Sequence, residues 1–121
     1  MPHAYDQLLD RLREFVQSRD WDQFHSPKNM AICLSVEAAE LLAHYTWTQE
    51  GGGHQAPGTE APDSLAIADE AADVLLSLLS FCHAAKIDLL TAADHKLTRL
   101  HQKYPLDLSR GSAVKNPRAR S

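Results

Sequence analysis

Near the N-terminus apolar residues fall at Leu8, Leu9, Leu12, Phe15 and Val16, with charged and polar side chains between them. Spacings of three, four and seven place them on one face of an α-helix, so the pattern predicts an amphipathic first helix. The segment SRDWDQFHSP, residues 18–27, breaks that pattern. Ser26 followed by Pro27 then reads as a helix start, with a hydroxyl to cap the end and a proline where no N–H is needed. A second helix is predicted from there to about Trp47. Residues 48–62, TQEGGGHQAPGTEAP, hold four of the five glycines and two of the six prolines. They predict a flexible connector of a length typical of functional or mobile loops.

A third helix is predicted to begin at Asp63 or Ser64 and to continue through LAIADEAADVLLSLLSFCHAA. Asp88 can cap a fourth, LLTAADHKLTRLHQKY, which Pro105 ends. From Leu106 onward there is neither a helical nor a strand period, and Arg110, Lys115, Arg118 and Arg120 make the segment basic. The expectation is an all-α, four-helix fold with one domain over residues 1–105, including the flexible loop 48–62. Residues 106–121 are expected to form a basic, partly disordered tail. Beyond Asp73 the third helix is apolar on nearly every side: Val74, Leu75, Leu76, Leu78, Leu79, Phe81 and Cys82. Such a helix must be covered all round. Three short partners cannot do that, which predicts a homodimer or homotetramer in which this helix meets its symmetry mate.

Composition narrows the function classes. A chain of 121 residues suits one modest core. With 44% hydrophobic and 23% charged residues it is an ordinary globular sequence. A net charge of -4 argues against a protein that wraps nucleic acid through a basic face. The two cysteines, Cys33 and Cys82, sit in helical, Leu- and Ala-rich surroundings and read as reduced core thiols of a cytoplasmic protein. Cys82-His83 has no second Cys/His pair at zinc-like spacing. No secretory signal is apparent in MPHAYDQLLDRL, and no apolar run approaches the ~20 residues that span a bilayer.

The candidate chemistry lies in the acids. At about 100° per residue, Cys33, Glu37, Glu40, His44 and Trp47 share one stripe of the second helix, beside the apolar stripe Leu34, Ala38, Leu41 and Tyr45. On the third helix Glu70 and Asp73 are again three apart, with Ala66, Ser77 and Phe81 along the same side. Facing one another, the two pairs would bring four carboxylates into a mostly apolar interior, which low dielectric penalises. A divalent cation removes the penalty, and oxygen-only ligation suits magnesium or manganese. Di-iron bundles use Glu-x-x-His instead, whereas the i+3 partners here are Glu40 and Asp73. An acid pair one turn apart is also a common feature of a solvated helix face. Spacing alone leaves both readings open.

The wording of the chain goes further. RDWDQFHSPKNMAICLSVEAAELLAHYTW, then DEAADVLLSLL, then KLTRLHQKYP resembles the MazG-like all-α nucleotide pyrophosphohydrolases, in order and spacing, from about Leu8 to Lys115. The likeness is strongest to their short branch, that of dCTP pyrophosphatase. The resemblance implies a helical unit that assembles as a dimer or dimer of dimers. It implies hydrolysis of nucleoside triphosphates to the monophosphate and pyrophosphate, in clearing non-canonical or excess deoxynucleotides, with dCTP-like substrates among those expected. By the same resemblance Glu37, Glu40, Glu70 and Asp73 are the catalytic magnesium ligands, with manganese as a substitute, and Glu40 is the candidate general base.

Further positions match. Trp47 is placed to stack on a base or to plug the bundle end. Trp21 and Phe24 are placed to close the base pocket or to pack locally. His25 and Asn29 are candidates for substrate contact or for loop hydrogen bonds. Lys96 corresponds to a lysine near the phosphates, and Lys103, Arg110 and Lys115 are further basic candidates. The chain departs from the pattern at Leu100, where relatives commonly have Asn, at Leu12, where the branch has His, and at Ser77, where it has Tyr. These departures leave the metal site intact and alter the pyrimidine pocket. They also motivate the alternative of a catalytically silent helical module that binds a nucleotide or a protein.

Overall fold

A computed structural model describes residues 3–46 and 63–112. Trp47, the connector 48–62 and the tail from residue 113, with Lys115, lie outside the described residues. The described chain is helical and contains no strand: α1 (Ala4–Ser18), a 3₁₀ turn (Asp22–Phe24), α2 (Pro27–Ala43), α3 (Ser64–Ala84), α4 (Leu89–Lys103) and α5 (Leu106–Ser109). It divides into two compact units, Met1–Lys86 and Ile87–Ser121.

In the first unit local chemistry explains the C-terminal end of α1 and the starts of α2 and α3. Helix α1 closes with Asp20 in the left-handed region, φ 55°. There the Asp20 N–H reaches the Gln17 carbonyl at 3.0 Å and the Trp21 N–H reaches Val16 at 3.1 Å. This is the Schellman closure, made with aspartate where glycine is usual. The Ser26 hydroxyl accepts from the Asn29 N–H at 3.1 Å and caps α2, with Pro27 at the first helical position. Asp63 caps α3 by accepting from the N–H groups of Leu65 and Ala66 at 3.0 and 3.2 Å. Helices α2 and α3 form the main helix–helix interface. Val16, Met30, Leu79 and Cys82 make the buried core, with Ser80 beside them.

Three expectations change. Helix α2 stops at Ala43 and not near Trp47, because the chain tightens into turns where Tyr45 and Thr46 donate to Leu42 and Ala43. Cys33 is exposed, whereas Cys82 is the core thiol; both are unpaired. The face of α2 that carries Cys33 borders a cleft and is covered only in part. The third correction is in the second unit. There Asp88 caps α4 as expected, accepting from the Thr91 N–H at 3.2 Å, and Leu106–Ser109 forms a single helical turn. Pro105 starts that turn with φ -57°. One turn is too short to display a period in the sequence. No described helix is long and apolar enough to cross a membrane.

Candidate metal centre and its cleft

Helices α2 and α3 bring their acid pairs together. One carboxylate oxygen each from Glu37, Glu70 and Asp73 lies within 4.8 Å of the others. Glu37 and Glu70 are partly buried, and each keeps a buried Oε2 with no hydrogen-bond partner. Asp73 and Glu40 are exposed at the margin. The Glu70 carboxyl is pushed up to about 8, first by the hydrogen bond its protonated form shares with Glu37. Burial comes next, followed by the hydrogen bond and negative charge of Glu40. Without a cation, then, the cluster relieves its repulsion by holding a proton at Glu70. His44 Nε2 stands 3.9 Å from Glu70 Oε1, too long for a hydrogen bond.

The donor set fits a hard divalent ion. It is all oxygen, two of its oxygens are unsatisfied, and their separations are close to the span of one coordination shell. Two oxygens on opposite sides of a magnesium ion lie about 4.2 Å apart, twice a metal–oxygen distance of about 2.1 Å.

Glu37 and Asp73 also line an open cleft of about 440 Å³ bordered by α1, the residues flanking the 3₁₀ turn, α2 and α3. This volume is in the range of small-molecule sites. Leu8, Leu12, Phe15, Trp21, Met30 and Leu76 make most of the wall apolar, and His25, Arg11, Ser77 and Ser80 supply polar edges. A ligand with an apolar, aromatic part and an anionic part could lie along it, with the anion toward the acids once a cation is bound.

Of the sequence-predicted substrate residues, Trp21 and His25 reach the cleft, and the Nδ1 of His25 is buried without a partner. Phe24 is exposed. Asn29 donates from Nδ2 to the Phe24 carbonyl at 2.9 Å, so its side chain holds the turn. Lys96 and Lys103 lie on α4 and Arg110 just beyond α5, all in the second unit. Lys103 Nζ is 5.7 Å from the Tyr104 ring. Sequence reasoning missed Arg11, Leu76 and Ser80 as cleft residues. The only available signal was their register on helices whose facing was not yet known. It also missed the ion pair between Arg13 and Asp22.

No family model matches the chain. Among curated proteins it is 36% identical to rat dCTP pyrophosphatase 1 over 105 residues, covering 84% of this chain and 59% of the rat protein. It is 34% identical to human dCTP pyrophosphatase 1 over 103 residues, with the same coverage of 84% and 59%. The chain thus spans 59% of the length of these relatives. Among solved structures, a pyrophosphatase from Archaeoglobus fulgidus superimposes with a TM-score of 0.72 at 34% identity. That match covers 87% of this chain and 95% of the archaeal one.

Proposed function

This chain belongs to the MazG-like all-α pyrophosphatases, and from that premise we propose that it hydrolyses nucleoside triphosphates to the monophosphate and pyrophosphate. The observation that carries the reading is the acid cluster of Glu37, Glu70 and Asp73, with two unsatisfied oxygens, opening into a largely apolar cleft. Glu37, Glu40, Glu70 and Asp73 would hold magnesium, with manganese as a substitute. When bound, the ion neutralises triphosphate charge and lowers the pKa of water.

The remaining work falls to the chain itself. The apolar wall with Trp21 and His25 seats the base, which leaves the α-phosphorus over the acids. Glu40 lies outside the three-oxygen cluster, at the exposed margin, and would take the proton from the attacking water. The water oxygen bonds to the α-phosphorus as the bond to the bridging oxygen breaks, and pyrophosphate leaves. Deoxynucleotides of the dCTP kind are the first substrates to try, and removal of unwanted nucleotides from the pool is the role that fits. Two unpaired thiols suit a reducing, cytoplasmic location.

The assembly is read as a homodimer or homotetramer. Ile32, Val36 and Leu42 on α2 are 52%, 50% and 70% exposed, and Leu65 on α3 is 84% exposed, in a protomer with few fully buried apolar residues. Light scattering should give twice or four times the chain mass; a monomer at micromolar concentration overturns it.

A panel of nucleoside triphosphates with Mg²⁺ tests the activity. Pyrophosphate and monophosphate should appear in equal amounts, and Glu40→Gln and Asp73→Asn should abolish both. Orthophosphate as the sole product, or undiminished activity in those variants, contradicts the reading.

A further inference from the structure

The aromatic wall of the cleft rests on very little regular structure. Trp21 and His25 flank a 3₁₀ turn of three residues, Asp22–Phe24. A turn that short has no stability of its own. Two residues ahead of it, Asp20 holds a left-handed backbone at φ 55°, a conformation that non-glycine residues rarely adopt. Something outside the turn must therefore fix it.

Each end of the turn is tied to a helix. At the far end Asn29 of α2 donates to the Phe24 carbonyl. At the near end Arg13 of α1 pairs with Asp22, and Trp21 meets Phe15 edge to face, centroids 5.6 Å apart. Arg13 is unusual for a surface ion-pair partner. Its side chain is 17% exposed, and its Nε and Nη1 are buried with no protein partner. A guanidinium in that position leans on its one carboxylate, and the Arg13 hydrogen bond holds the Asp22 carboxyl below its ordinary value. Neither Arg13 nor Asp22 lines the cleft, whereas their neighbours Leu12, Trp21 and His25 do.

We infer that the Arg13–Asp22 pair is a positioning device: it sets Trp21 and His25 on the cleft wall and thereby governs affinity for the base of the nucleotide. It leaves the chemistry at the acids unchanged. This rests on the nucleotide reading above. The pair acts through Trp21 and His25, since neither Arg13 nor Asp22 lines the cleft itself.

The test uses Asp22→Ala, Arg13→Met and Asp22→Glu in the full chain. Arg13→Met removes the buried charge together with the pair, so it does not strand an unpaired guanidinium. Asp22→Glu keeps a carboxylate for Arg13. For the triphosphate turned over fastest, Asp22→Ala and Arg13→Met should raise KM about tenfold with kcat within twofold of the parent. Asp22→Glu should recover most of the loss.

A second readout needs no substrate. With Trp47→Phe as background, acrylamide quenching of Trp21 fluorescence should rise at least twofold in Asp22→Ala and Arg13→Met and return toward the parent in Asp22→Glu. Unchanged KM and quenching, a fall in kcat at constant KM, or a lower melting temperature with no other change overturns the inference. If the parent turns over no nucleotide, the functional reading fails on its own. The quenching comparison then decides the positioning by itself.

Discussion

The two ends of the cleft are built by different means. At one end the acids of α2 and α3 sit on helices of 17 and 21 residues. Their positions follow from helical repetition, and one i, i+3 pair brings its partner with it. At the other end Trp21 and His25 hang on a three-residue turn held by side chains from α1 and α2. The rigid end suits ionic contacts, whose geometry must be kept. The tethered end suits recognition of a flat apolar group, where a small shift changes affinity more than rate.

The largest expected effect comes from breaking the rigid end. Glu37→Gln or Asp73→Asn should lower kcat/KM roughly a hundredfold or more, and so should chelation of the metal, with recovery on adding Mg²⁺ only in the parent. Steady-state kinetics with and without chelator measure this. The tethered end should respond differently: Trp21→Ala should raise KM roughly tenfold, the equivalent of about 1.4 kcal/mol of lost stacking, with kcat little altered.

A third effect is read from pH. Glu70 is raised from 4.5 to about 8 in the folded chain. Between those values the folded state holds a proton that the unfolded state has lost, so the metal-free protein loses stability as pH rises from about 4.5 toward 8. Melting temperatures across that range should fall without metal, and saturating Mg²⁺ should flatten or reverse the trend. The smallest effect tests support of the rigid end from a distance. Asp63→Ala removes the α3 cap and should cost about 1 kcal/mol in chemical denaturation, with KM unchanged.

The same contrast explains what the sequence disclosed. Helical spacing put Glu37 with Glu40 and Glu70 with Asp73 on one face of each helix; that the two pairs belong together came from the family resemblance, and the structure gathers Glu37, Glu70 and Asp73 within 4.8 Å. Ser26, Asp63 and Asp88 marked their helix starts for a similarly local reason, since a cap acts within three residues. Arg13 and Asp22 are nine residues apart across a chain reversal at Asp20, and no periodicity relates them. Cys33 was misjudged because its neighbours along the chain are rich in Leu and Ala, although its helical stripe is that of Glu37 and Glu40, where a cleft opens. The turn at Leu106–Ser109 escaped notice because four residues carry no period.

Attack at the α-phosphorus over the acids of α2 and α3 is the central step of the proposed reaction. Hydrolysis of a deoxynucleoside triphosphate in ¹⁸O-enriched water, followed by mass spectrometry of the products, tests that directly. One ¹⁸O should appear in the monophosphate and none in the pyrophosphate. Label in pyrophosphate or in released orthophosphate would place the attack elsewhere and contradict the account.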